Sequence, residues 1–570
     1  MRRISLPAIL ILGAALVGCR YQKDSSEGFA QVTEEFVFSS LALSPVGATE
    51  AGYHQHQGVP LDELLDDYSA PALDNQRKFY HTFHDRLAAI PADKLDAEDR
   101  ADYDIVNNQI ELALVELDTI QAYRHNPTLY VELIGNALFT PFVIEYAPRP
   151  ERFRHIVKRL QKIPSLLEQA KSNLTDSPEV WNTVARQEND GNIELISKTL
   201  REAVPAALSD SYAKAAEPAL AALRAFNVFL KDDLASKKSD WRLGKDKYAA
   251  KFKCVFSSGK TPEQVLSEAE AELKNARAEI AKLAGGKTVR EALDAIAQKH
   301  STRESYLDDA RRTLEQATQF VRERALVTLP TRSNLKVIET PVFMRGGYAV
   351  GGFSGAPPLE PGLGAFYWVT PIPADWPAAR AESKLREYNA YGLQELTIHE
   401  AMPGHYVQAE YANQVEPNGR RLLRNVYGNG AYVEGWAVYA QQAMSDAGYM
   451  SGDPGLRLTF WKQMLRVITN TILDVRLQTM GMTDKEALDL MTNQAFQETE
   501  EATAKLQRAQ LSSCQLPTYF VGWKGWLHAR DEYKKQRAGE FAALTFHEDA
   551  LKESAVPLPV LERLLASGAK

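Results

Sequence analysis

Apolar residues at helical spacing dominate the chain from about residue 31 to residue 326, which commits more than half of it to helix-on-helix packing. The clearest case is 262–283, where Val265, Leu266, Ala269, Leu273, Ala276, Ile280 and Leu283 fall on one face. Thr261 stands at the cap position, Pro262 at the first helical position and Gln264 where a capping box needs it. Ser301-Thr302-Arg303-Glu304 repeats that start signal, with Gly285-Gly286 between the two segments. The texture changes near residue 327. Lys336–Thr340, Tyr348–Val350 and Ala365–Val369 are β-branched or aromatic, and Gly- and Pro-rich steps separate them. From Ala378 helical patterning returns, with another capping box at Thr483-Asp484-Lys485-Glu486. The expected fold is mainly α, a large multi-helix body with a small β-element near residues 336–370.

The 570 residues are 45% apolar and 25% charged, as in soluble globular proteins, which argues against disorder over most of the length. A net charge of -8 offers no field attractive to phosphate backbones, so no nucleic-acid partner is expected. Met1-Arg2-Arg3 precedes an apolar run from Ile4 to Val17, interrupted by Pro7 and too short to span a bilayer comfortably. Its ending, Leu16-Val17-Gly18-Cys19, resembles a bacterial lipobox with Cys19 as the lipidated residue. The reading is a lipoprotein signal peptide over 1–19 and a polar tether over 20–30. An N-terminal helical region follows over 31–326, then a catalytic region over 327–570 carrying the β-element; the boundary is one of convenience, because the two helical halves can form one intertwined body. Such a protein is exported and anchored by lipid to a bacterial membrane, facing the periplasm or the cell surface. Only Cys254 and Cys514 remain, too few for a disulfide scaffold or a Cys-rich zinc site, so any metal is left to His and carboxylates.

The segment Leu393 to His405 carries the chemistry. His399-Glu400 followed by a further His resembles the H-E-x-x-H zinc helix, in which two His at i and i+4 share a face and the Glu serves as base. Here the second His comes at i+6, and in an unbroken helix six residues rotate by roughly 240° net, onto another face. Pro403 forces a break, and Gly404 accepts the dihedrals such a break needs. Spacing alone leaves two outcomes open: His405 swings back toward His399, or it is an unrelated surface residue. Downstream, Glu434 lies in the mostly apolar helical segment 430–439, where an unpaired carboxylate is costly to bury. It is either a third metal ligand or half of a buried ion pair with Arg466 or Arg476. Gly435 and Ala437 would let its helix approach the His399 helix closely.

The combination of H-E-x-x-P-G-H-x-x-Q, from His399 to Gln408, with E-G-W-A, from Glu434 to Ala437, resembles the DUF885 family of bacterial proteins. Leu473–Leu477 before Gly481-Met482-Thr483, Arg508 ahead of Leu516–Gly522, and the early Gly52-Tyr53-His54 are similar to its further motifs. At Cys514-Gln515-Leu516-Pro517-Thr518 the chain departs from the expected P-G-Q, which bears on local loop shape. The resemblance implies a helical, gluzincin-like zinc metallopeptidase with His399, His405 and Glu434 as Zn²⁺ ligands and Glu400 as general base. Three protein ligands leave a position open for water, as in catalytic zinc. An oxyanion needs a further donor, from Tyr519, Tyr432 or Arg508, with Tyr519 favoured. Arg508 and Arg476 are candidates to hold a peptide carboxylate. Gln408 is a candidate to orient the His405 imidazole.

The expected function is zinc-dependent hydrolysis of short peptides, with the peptide as soluble partner and the membrane reached through the N-terminal lipid. The β-element would serve either to align substrate along Gly351-Gly352-Phe353-Ser354 or as a plain hairpin. The alternatives are a non-catalytic peptide-binding module on the same scaffold, or a metal-dependent amidase or esterase acting on a non-peptide substrate. His54, His56, His81 and His84 are read as having no part in the chemistry.

Overall fold

The computed structural model describes residues 28–341, 344–345, 350–537 and 541–567. Residues 1–19, read as a signal peptide ending at Cys19, lie outside the described residues. Helix Phe29–Ala42 already starts within the span read as a tether to residue 30, with Phe29 buried.

Helices form where local chemistry places them. Pro262–Leu283 is one continuous helix, and Thr261 and Gln264 exchange side-chain-to-backbone hydrogen bonds of 2.9 and 3.3 Å. The box at Thr483 and Glu486 closes in the same way. The expected start at Ser301–Glu304 is displaced. Thr302 and Ser305 exchange the reciprocal contacts instead, and the helix runs from Tyr306 to Arg324. A further box, Thr288 with Glu291, opens Val289–Ala297, a helix the Gly285-Gly286 break had obscured. Among the described residues no helix is long and apolar enough to cross a membrane. Cys254 and Cys514 are both buried and free.

Residue 326 is not a packing boundary. One apolar core gathers side chains from Phe29 to Leu565, and helix Pro262–Leu283 lies along helix Pro454–Thr479 from the other half. A second core is built mainly from residues 130–234. The β-element stands between the two. Strand Ala365–Val369 is central, parallel to Leu335–Glu339 on one side and antiparallel to Gly351–Ser354 on the other. All five of its residues are buried, because alternate side chains serve different cores: Ala365, Tyr367 and Val369 enter the first, Phe366 and Trp368 the second.

Away from the site, Glu188 keeps a buried Oε2 without a hydrogen bond, and burial, aided by Glu132, pushes its carboxyl up to about 8 from 4.5. The folded chain therefore holds this proton more tightly than the unfolded one, and stability falls as pH rises from about 4.5 to about 8. Glu188→Gln is expected to raise stability at pH 9 by about 1–2 kcal/mol, after allowance for partial exposure, and to change it little at pH 4. Urea unfolding at the two pH values checks this.

Candidate metal centre

Helix Ala390–Glu400 is capped by Asn389, whose Oδ1 accepts the N–H groups of Tyr391 and Gly392 at 3.0 and 3.2 Å. It ends at Glu400, and a second helix, His405–Ala412, begins after four residues. In that gap the Gly404 N–H donates to Ile398 O at 2.9 Å, while Trp436 Nε1–H donates to the Pro403 and Gly404 carbonyls at 2.9 and 3.2 Å. The break is thus folded back on the first helix and tied to the helix that carries Glu434. Glycine is required at 404 for space: a Cβ there would sit 1.9 Å from His399 O and 2.3 Å from Ile398 O. Gly404→Ala is expected to destabilise the fold by about 3–5 kcal/mol, read by denaturant unfolding, since the obstructing atoms are backbone.

The turn brings His405 to His399. Their rings lie 4.7 Å apart, nearly perpendicular. Glu434, on helix Gly430–Asp446, completes the group: its Oε2 is 3.3 Å from His399 Nε2 and 3.4 Å from His405 Nε2. These contacts are not aligned as hydrogen bonds, and Glu434 Oε2 is buried without a hydrogen-bond partner, as is His405 Nδ1. Two ligand atoms about 2.0–2.1 Å from a tetrahedral zinc stand about 3.3–3.4 Å apart, so the spacing and the unsatisfied oxygen both fit a metal between them. Among the described residues this is the one group of three or more His, Cys, Asp or Glu with metal-ligand spacing. Burial opposes the Glu434 charge, yet the two imidazoles outweigh it and hold the carboxyl well below the ordinary range.

The other expected residues divide. Glu400 and Tyr519 line the same cavity as His399, a space of about 460 Å³. Burial, with the Glu434 charge adding and His399 and Arg508 opposing, pushes Glu400 up to about 7. The Tyr519 ring stacks on His399 at 6.1 Å, and its hydroxyl meets Arg508 Nη2 at 3.3 Å. Arg508 lines that cavity as well. Arg476 does not: it pairs with Glu270 at 2.5 Å on a half-exposed surface. Arg466 pairs with Glu501, so neither arginine holds Glu434. Tyr432 is also elsewhere, its hydroxyl donating to Ala550 O at 2.9 Å. Gln408 lines a second cavity, of about 300 Å³, with His405 and Glu434, but makes no hydrogen bond to the imidazole. Gly435 serves a different neighbour than expected. It meets Gly522 on the Tyr519 helix, where a Cβ on either glycine would fall within 2.6 Å of backbone atoms.

Two residues at the site were not anticipated. Gln441 Oε1 lies 3.4 Å from His399 Nδ1, and its amide nitrogen donates to Glu395 Oε2 at 2.9 Å and Glu395 O at 3.1 Å. This fixes which imidazole nitrogen faces Glu434. Glu395 is buried, and burial pushes its carboxyl up to about 8 against the pull of Gln441. The available signals were spacings: Glu395 is four residues before His399, and Gln441 seven after Glu434.

Fold and site together define a mainly helical protein with a candidate three-residue metal centre between two cavities. The chain belongs to the DUF885 family, described as bacterial proteins of unknown function, whose model matches residues 45–565. No curated protein matches it. Among solved structures it is similar to a candidate lipoprotein of unknown function from Shewanella oneidensis, at 27% identity and a TM-score of 0.77, over 95% of this chain and 100% of that one. A candidate lipoprotein from Colwellia psychrerythraea shares the fold at 17% identity and a TM-score of 0.78, over 95% of this chain and 98% of that one.

Proposed function

We propose that the chain is a zinc-dependent peptidase acting on short peptides, exported and anchored by lipid at Cys19. The observation that carries the reading is the unsatisfied Glu434 Oε2 between two imidazole Nε2 atoms, beside a cavity that Glu400 and Tyr519 also line. His399, His405 and Glu434 would hold a zinc ion, which would supply Lewis acidity to a scissile carbonyl and to a water molecule. Glu400 takes the proton of the attacking water and returns it to the leaving amine. Tyr519, its hydroxyl beside Arg508, donates to the developing oxyanion. Edge strand Gly351–Ser354 supports a place for an extended substrate: Gly351 lines the larger cavity and Phe353 the smaller, so the strand passes the cluster from one to the other. The lipobox-like Leu16–Cys19 and the description of the Shewanella relative support the anchor.

The test is metal content and hydrolysis of a peptide library by the chain from Arg20 onward, before and after chelation. About one zinc per chain and hydrolysis lost with the metal are expected. Zinc without peptide turnover moves the reading to an amidase or esterase. No metal uptake, even with added zinc, sinks the site and leaves a binding module.

A further inference from the structure

Among the described residues, the lining of the larger cavity carries six Lys and Arg side chains against five Glu, two of which, Glu395 and Glu400, are pushed toward the neutral form by burial. Arg466 is paired with Glu501 and bonded to the Tyr388 hydroxyl at 2.8 Å; Arg380 is paired with Glu500; Glu387 is paired with Lys462 at 2.8 Å. Two cations on helix Thr499–Leu511 are left over. Arg508 hydrogen-bonds only neutral groups among the described residues, Gln515 Oε1 at 3.1 Å and the Tyr519 hydroxyl at 3.3 Å, with the Glu434 charge acting on it from further off. Lys505 lies one turn before it on the same face, 4% exposed and lining the cavity, with no hydrogen bond or ion pair to a described residue, although the Glu501 and Glu434 charges act on it. A lone buried ammonium is among the least favourable groups a fold can hold, and pairing with an anion removes that cost. Burial, with the nearby Arg466 and Arg508 charges, outweighs the Glu501 and Glu434 carboxylates and pulls the Lys505 amine well below an ordinary lysine.

We propose that Lys505, with Arg508 beside it, is a receptor for a carboxylate in the wall of the cavity shared with His399 and Glu400, and that it takes the C-terminal carboxylate of a short peptide. The substrate class follows, on the peptidase reading above: peptides with a free carboxyl end, cut near that end. The cavity, at about 460 Å³, is of ligand size, and its cations lie on the His399 side of the cluster. The carboxylate anchors one end of the peptide there, and the remaining chain extends past the cluster toward the smaller cavity. An acidic side chain offers the same chemistry, so the test must separate the two sources.

Calorimetric binding in the Glu400→Gln background separates recognition from turnover. The probes are trialanine as free acid, trialanine amide, and an alanine peptide amide with a glutamate side chain. The free acid is expected to bind at least about tenfold more tightly than its amide, as hydrogen bonds to charged groups do. Lys505→Met is expected to abolish that advantage, and Lys505→Arg to keep most of it. Lys505→Met should also melt no lower than its parent, since it removes a buried amine that has no direct partner. Equal binding of acid and amide, or an advantage indifferent to Lys505→Met, overturns the receptor. Tight binding of the glutamate amide keeps the receptor but overturns the carboxyl-end assignment. Acid-selective binding in a protein that hydrolyses no peptide leaves the receptor standing and removes the peptidase. Wild-type hydrolysis of acid and amide alike does the reverse.

Discussion

Glu400→Gln is expected to retain about one zinc per chain while lowering kcat for a peptide substrate by about 10²–10⁴-fold, the usual worth of a positioned general base. The substitution keeps shape and hydrogen-bonding capacity but removes the atom that accepts the proton. Glu400 is not one of the three clustered side chains, so metal content should not follow activity down. Burial raises the carboxyl above its ordinary range in the metal-free chain, and a cation bound beside it would lower it again, toward the ionised form a base needs. Elemental analysis and steady-state kinetics on one preparation check both halves. Undiminished hydrolysis would remove Glu400 as base; zinc lost together with activity would instead make it a ligand.

The sequence made the helices legible because their determinants are local. The apolar face of 262–283 and the Thr261 and Thr483 boxes are each decided within a few residues of chain. Ser301–Glu304 shows how narrow that legibility is, for there a Thr302–Ser305 exchange one residue along takes over. The β-element was readable from texture, but its pairing was not. Leu335–Glu339 pairs in parallel with a strand about 30 residues later, with Gly351–Ser354 on the far edge, and nothing local specifies that order. Nor could the run Ala365–Val369 reveal that its two faces enter different cores.

Within the site, legibility followed the same divide. The i+6 histidine was intelligible because Pro403-Gly404 announces a broken helix, and the break turns His405 back. The need for glycine, by contrast, came from the His399 carbonyl, which only the folded turn brings close. Arg476 and Gln408 were reasonable by residue type, yet their surroundings decide otherwise: Glu270 captures the one, and the other faces the smaller cavity. Gln441, Glu395 and Lys505 stand out only in the fold, because a buried polar residue means something only once its partners, or its lack of them, are known.

Glu434→Gln is the sharper test of the metal centre, because it separates a ligand from a carboxylate that merely neutralises two imidazoles. The change preserves volume and removes the charge. In metal-free protein the cost should be modest, about 1–2 kcal/mol, since the side chain is 20% exposed and its contacts are not aligned as hydrogen bonds. With zinc present the two readings diverge. At a free zinc concentration about 100 times the wild-type Kd, the wild type gains about 2.7 kcal/mol of stability through binding to the folded state alone. If Glu434 is a ligand and its loss weakens affinity about 100-fold, the variant gains only about 0.4 kcal/mol at the same zinc, and hydrolysis falls with occupancy. Thermal unfolding with and without zinc reads this difference directly. A variant stabilised by zinc as strongly as the wild type would leave His399 and His405 as ligands and return Glu434 to the role of a buried counter-charge.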